Sequence, residues 1–310
     1  MRDHNLRTRW AALLVATLCL GASCSDGASP DSRPEPTRPS GIERTATPTP
    51  RPDTTQSALP AVPPTRGAAA FAGHLNRALA TVRAADSSST DVQQAAEFHQ
   101  LAVRGLATSS DGFRRKVIRR LDPGTRAIIR GDVRAAALLR AMTAPQRALP
   151  RWRIVVPPSS TRLQRHYREA ERRTGVPWRY LAAIHLVETR MGRIRGTSTA
   201  GAQGPMQFLP STWDRYGAGG DIENPRDAIL GAARLLKANG APGDMATALW
   251  HYNPSQNYVR AISQYARSMQ RADWLYRSYW HWRVLYRHAR GTYALPVGYP
   301  KTRAVLLPGG

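Results

Sequence analysis

Glu188 is the residue whose type and surroundings point most directly to chemistry. It sits in a segment in which Trp178, Tyr180, Leu181, Ile184, Leu186, Val187 and Met191 leave little polar face, so the spacing predicts a central, buried helix. Gly175-Val176-Pro177 opens that helix with a proline in its first turn, and Gly192 closes it. Glu188 follows Ile184 by four residues and Leu181 by seven, on the same side, with no other carboxylate between Arg172 and Trp213. Burial disfavours its charged form, and so does the negative end of the helix dipole in the last turn. Both push its pKa upward, and a carboxyl that holds its proton near neutrality is a general acid. The competing reading is structural: Arg190, Arg193 or Arg195 could pair with Glu188 and pull its pKa down.

Two further blocks follow in order. Glu188-Thr189-Arg190-Met191-Gly192 leads to Ser198-Thr199-Ala200-Gly201-Ala202-Gln203-Gly204-Pro205-Met206-Gln207-Phe208-Leu209-Pro210-Ser211-Thr212-Trp213, and then to Ala248-Leu249-Trp250-His251-Tyr252-Asn253. Together these blocks resemble the lytic transglycosylase family, over residues 160–270. The Glu-Thr start and the Gln-Phe-x-Pro-Ser stretch are similar to the membrane-bound type B branch. The Ser-x-x-Gly-Ala-x-Gly spacing and the Tyr-Asn pair resemble the soluble type. Pro205 and His251 depart from the soluble pattern, which has Leu and commonly Ala there.

The resemblance implies a lysozyme-like helical domain that cleaves bacterial peptidoglycan, with Glu188 as its catalytic acid. It implies that Met206 and Gln207 line the glycan groove, that the Tyr252 hydroxyl approaches the glutamate with Asn253 as its partner, and that Ser198 lies near the carboxylate. The residue types suit that task. Planar amides such as Gln207 and Asn253 match sugar hydroxyl and N-acetyl groups, and Gly201 and Gly204 let backbone come close to a ring. Singly, each has a plainer reading: Gln207 and Ser211 cap the short helix that Pro210 begins, and Tyr252 is core.

Most glycosidases set a second carboxylate opposite the acid. The nearest acids that follow are Asp214, Asp221, Glu223, Asp227 and Asp244, and Asp221 and Glu223 flank an Asn-Pro turn that starts a helix, where capping is the simpler role. One carboxylate suffices for the transglycosylase reaction that the resemblance implies. A muramidase that adds water would need one of these acids to face Glu188, and a wall-binding protein without turnover is a third reading. The eight histidines show no HExxH or comparable ligand spacing, so no metal and no cofactor is expected. His185 reads as a core histidine.

The elements that must position these groups are mainly helical. At ~150 residues per domain, 310 residues suggest about two. Residues 1–23 have the charged, apolar and small-residue order of a signal peptide. Cys24 follows small residues as in a lipoprotein box, which points to lipidation there. Residues 24–66 are rich in proline, serine and threonine and carry no aromatic residue, the composition of a disordered linker. Residues 67–150 read as a helical module, with Phe71, Leu75 and Leu79 on one face, a cap at Asp91 and a last short helix from Val133 to Met142. Residues 151–270 form the lysozyme-like domain, and 271–310 an aromatic-rich extension with a hairpin turning at Ala289-Arg290-Gly291. No strand is expected before residue 280.

Both cysteines lie within the first 24 residues, which excludes a disulfide framework or a cysteine nucleophile in the body of the chain. The net charge is +24, and all but Lys116, Lys237 and Lys301 of the 45 basic residues are arginine. Export argues against nucleic acid as the partner of such a charge. Anionic wall polymers and phospholipid remain, with peptidoglycan glycan strands as substrate. The expected place is the cell envelope, lipid-anchored through Cys24 to the outer face of the cytoplasmic membrane.

Overall fold

A computed structural model describes residues 67–308 except 85 and 87. The signal peptide, the linker and Cys24 therefore lie outside the described residues. Eleven helices and five short strands follow, and the mainly helical class expected from the sequence is observed.

The first four helices are α1 (Ala68–Arg83), α2 (Ser89–Thr108), α3 (Asp111–Arg119) and α4 (Pro123–Ala141). The cap of α2 is Ser88 rather than Asp91: the Ser88 hydroxyl accepts from the Asp91 amide at 3.1 Å and donates to its carboxylate at 2.7 Å, so it satisfies one amide of the first turn. The last helix of this group is longer than Val133–Met142. It begins at Pro123, whose fixed φ suits the first helical position, and burial of Ile128 and Ile129 outweighs the helix-weakening Gly124 and Gly131.

After β1 (Arg153–Ile154) come α5 (Ser160–Thr174), α6 (Trp178–Thr189), β2 (Ile194–Arg195), α7 (Pro210–Tyr216), α8 (Pro225–Ala238), α9 (Met245–Tyr252) and α10 (Gln256–Arg271). The two-residue strands β1 and β2 pair antiparallel, Ile154 opposite Ile194; they are too short to leave a periodic pattern in the sequence. Helix α6 is buried as its composition required, with Leu181, Ala182, Ile184 and Leu186 fully covered. It packs against α5 and α10.

The chain ends with α11 (Leu275–His281), β3 (Val284–His288), β4 (Gly291–Leu295) and β5 (Val305–Leu306). The expected hairpin forms with Val284 opposite Leu295, and β5 adds a third strand beside β4. Trp280 belongs to α11, so the alternation of the hairpin starts after it. Trp282 is buried against His99, Tyr265 and Tyr279.

One hydrophobic core runs from the N-terminal helices into the rest: Leu75, Leu106 and Ile129 belong to the same buried cluster as Leu181, Ile184 and Ile262. Helix α4 lies close on α10 because Gly131 has no side chain there; a Cβ would stand 3.2 Å from the Ser268 hydroxyl oxygen. Beside it the buried Asp132 carboxylate accepts from Ser268 at 2.9 Å and Tyr279 at 2.7 Å, and lies 3.1 Å from His99 Nε2.

Candidate active site

The end of α6 is a sharp reversal. Arg190, Met191 and Gly192 take φ values of 53°, 61° and 84° in succession. The C-cap is thus Arg190, two residues before the expected Gly192. A non-glycine residue in this region costs roughly 1 kcal/mol, and two in a row mark a turn held by its surroundings. The hold is visible. Buried Thr189 donates to the Pro205 carbonyl at 2.6 Å and accepts from the Gly192 amide at 3.1 Å. This fastens the loop carrying Met206 and Gln207 to the turn that follows Glu188.

Glu188 is half-buried and accepts a hydrogen bond from the Tyr258 hydroxyl on its Oε1 at 2.7 Å. Burial raises its pKa to about 7, against the smaller lowering effect of that donated bond. No ion pair forms with the three neighbouring arginines. Arg190 donates to the Leu186 carbonyl at 2.6 Å, Arg193 lies over the Trp280 ring at 5.2 Å, and Arg195 pairs with Glu223 at 3.2 Å. The structural reading of Glu188 as an arginine partner therefore fails, and burial acts on its carboxyl in the upward direction argued from sequence.

The hydroxyl on the carboxylate is that of Tyr258, not Tyr252. Tyr252 instead donates to the Met206 carbonyl at 2.5 Å, while its ring lies parallel to that of Tyr258 at 6.3 Å. The negative charge of Glu188 raises the pKa of Tyr252 after burial does, so the phenol is still within its field. Glu188, Tyr258, Tyr252 and Met206 thus form one connected set. Tyr258 was legible only as a tyrosine on the apolar face of α10, beside Val259, Ile262 and Tyr265. A buried phenol there needs a partner, but not a particular one.

The other expected residues are placed as follows. Ser198 builds its own loop: its hydroxyl accepts from the Ala202 amide at 3.0 Å and its carbonyl from Gly201 at 2.9 Å, with no hydrogen bond to Glu188. Met206 is fully buried. Gln207 is half-buried with φ 50°, and its amide donates to the Gly204 carbonyl at 3.0 Å. Gln203 and Phe208 close this loop by reciprocal backbone bonds of 2.8 and 2.9 Å. Gly204 has φ 72°, and a Cβ there would fall 2.0 Å from the Ile222 carbonyl oxygen, so only glycine fits. Asn253 is buried at the C-cap of α9.

The later acids are committed to local structure. Asp221 accepts from the Glu223 amide at 2.8 Å, Glu223 from the Gly204 amide at 3.1 Å, Asp227 from the Asp221 amide at 3.1 Å, and Asp244 caps α9. Asp214 is exposed on α7. The helix after the Asn-Pro turn is capped by Asn224. His185 is buried, 2.7 Å from the Tyr167 hydroxyl through Nδ1, and burial lowers its pKa to about 3.

Residues 165–275, which carry Glu188, Ser198, Met206, Gln207, Tyr252, Asn253 and Tyr258, match the family model of the transglycosylase SLT domain. Over this stretch the chain is similar to transglycosylase SLT domains. The chain is also similar to the membrane-bound lytic murein transglycosylase F of Thiobacillus denitrificans, 34% identical over 114 residues. That match spans 34% of this chain and 24% of the relative, so the chain covers about a quarter of that protein's length. No solved structure matches the chain significantly. The matched stretch runs from the middle of α5 to the start of α11. Helices α1–α4 lie outside it yet share its core, while the sheet β3–β5 buries Val284, Tyr286 and Leu295 in a second cluster with Ile154 and Tyr299.

Proposed function

We propose that this chain is a peptidoglycan lytic transglycosylase of the cell envelope. The observation that carries the reading is a half-buried glutamate with pKa about 7 that has a neutral phenol, and no cation, as its hydrogen-bond partner. Protonated Glu188 gives its proton to the glycosidic oxygen between N-acetylmuramic acid and N-acetylglucosamine, and the bond from that oxygen to the muramic C1 breaks. The carboxylate so formed takes the proton from the muramic C6 hydroxyl as O6 bonds to C1. The products are a 1,6-anhydromuramic end and a free N-acetylglucosamine hydroxyl. No water enters, and Glu188 finishes protonated. Tyr258 anchors Oε1 in both halves and stabilises the carboxylate between them. Gln207 and Tyr252, both half-buried, are the groups offered to the glycan; Met206 and Asn253 act from beneath. Ser198 shapes the loop.

A muramidase would need a carboxylate facing Glu188 across the sugar, and the bonds that Asp221, Glu223 and Asp227 accept from loop amides and the helix cap made by Asp244 weigh against it. A wall-binding role without turnover leaves the raised pKa of Glu188 without a purpose. We propose further that the chain is exported and anchored through lipidated Cys24, with its arginines drawn to anionic wall polymers and phospholipid. Among the described residues no helix is long and apolar enough to cross a membrane.

The test is mass spectrometry of muropeptides released from purified peptidoglycan by residues 25–310. Products ending in 1,6-anhydromuramic acid, absent with Glu188→Gln, are expected. Reducing-end products would replace the transglycosylase with a hydrolase, and no products from folded protein would leave the binding reading.

A further inference from the structure

Away from the glycan loop, α2, α4, the turn after α6 and the hairpin β3–β4 enclose a cavity of about 220 Å³. Four arginines line it: Arg104 from α2, Arg140 from α4, Arg190 from the turn and Arg287 from β3. No carboxylate is among the lining residues. The acids borne by these elements are all engaged elsewhere. Asp91 accepts from the Ser88 hydroxyl, Glu97 pairs with Arg283 at 2.6 Å, Asp132 is held by Ser268 and Tyr279, and Glu188 is held by Tyr258.

Three of the four guanidinium groups find only neutral acceptors. Arg287 donates to the carbonyls of Arg140 at 3.1 Å and Thr143 at 2.5 Å, Arg190 to that of Leu186, and Arg104 to the Thr292 hydroxyl. The guanidinium of Arg140 donates no hydrogen bond and forms no ion pair among the described residues. Tyr265, only 3% exposed, also lines the cavity, and its hydroxyl has no hydrogen-bond partner among the described residues. Grouped cations without a counter-charge are unfavourable in a partly dry site. The cost is visible at Arg104, whose pKa is lowered by burial and then by Arg140 and Arg287.

We propose that this cavity is a binding site for a small oxyanion, a carboxylate or a phosphate group, with Arg140 as its principal ligand and Tyr265 as a neutral donor. Guanidinium forks match both groups in geometry. The cavity has room for a phosphate or a short carboxylic acid. Trp152 and Trp282 supply apolar wall for the body of such an acid. The site is independent of the glycan-cleaving reading, because none of its lining residues is a member of the Glu188–Tyr258–Tyr252–Met206 set.

Isothermal titration of the chain, at fixed ionic strength, tests it with three probes: inorganic phosphate, N-acetylalanine and the neutral N-acetylalaninamide. Phosphate or N-acetylalanine is expected to bind one to one, and the amide not at all. Preference between the two separates a phosphate source from a carboxylate source. Arg140→Gln should weaken binding at least tenfold and, in anion-free buffer, raise Tm by relieving repulsion. Arg134→Gln, an exposed change of equal charge on the same helix, should leave binding as in wild type. Absence of binding by both anions, or equal loss in the two variants, would overturn the proposal and assign the effect to the +24 charge as a whole.

Discussion

A carboxyl group can serve as acid and then as base only if its two protonation states lie close in free energy at working pH. Glu188 meets that condition through opposed effects. Burial raises its pKa, and the Tyr258 hydroxyl holds it back to about 7. Removing the phenol oxygen in Tyr258→Phe should therefore move the alkaline limb of kcat/KM to higher pH, since the proton is then held more tightly. The lost charge-assisted bond should also lower kcat about tenfold. A pH profile with an unmoved limb would deny Tyr258 this role. The same shift has a stability consequence that needs no substrate. Between pH 4.5 and 7 the folded chain keeps a proton that unfolded Glu188 has released, so its contribution to stability falls as pH rises through that window. Glu188→Gln should match wild type in urea unfolding at pH 4.5 and exceed it at pH 8 by about 2 kcal/mol, the order expected of a shift of this size.

At the scale of elements, the site is a matter of how one loop is tied to one helix end. Thr189 reaches the Pro205 carbonyl, Tyr252 reaches that of Met206, and Gly204 lies where the Ile222 carbonyl leaves no space for a Cβ. Gly204→Ala combines a left-handed φ with that close approach. It should cost more than about 2 kcal/mol and displace Gln207 as well, so both the urea midpoint and the KM for glycan should change. A midpoint shift with an unchanged KM would mean that the loop does not present substrate groups. The sequence shows a glycine at 204, but the neighbour that forbids anything larger comes from eighteen residues away.

At the scale of the whole molecule, the N-terminal helices are built into the core around α6 and α10 rather than appended to it. Asp132 of α4 takes hydrogen bonds from Ser268 of α10 and Tyr279 of α11 and lies beside His99, with no exposed surface. The Ser278–His99–Asp132 chain has the residue types of a catalytic triad, but all three side chains are shut from solvent, and it acts as a pin. Asp132→Ala leaves those partners unsatisfied and should destabilise by about 3–5 kcal/mol. A shared core further predicts one unfolding transition. Far-ultraviolet circular dichroism, which follows the helices, and tryptophan fluorescence, which follows residues beyond 150, should coincide. Separate transitions would make residues 67–150 an independent unit.

Local pattern alone determined the helical class, the buried run around Glu188 and the proton-holding bias of that residue; the helix cap expected of Asp221 and Glu223 falls instead to Asn224. Those three follow from spacing along a helix or from burial of a charge, which need only near neighbours. The hairpin at 284–295 was legible for the same reason. What only the tertiary structure decided depends on pairs far apart in sequence. Tyr258 stands on the carboxylate where Tyr252 was expected, because α10 brings its apolar face onto α6 while α9 turns Tyr252 towards Met206. The two-residue strands β1 and β2 exist only by virtue of each other. Arg104, Arg140, Arg190 and Arg287 look like scattered surface charge until four elements fold around one cavity. Side-chain periodicity says which face of an element is buried; it does not say which other face it will meet.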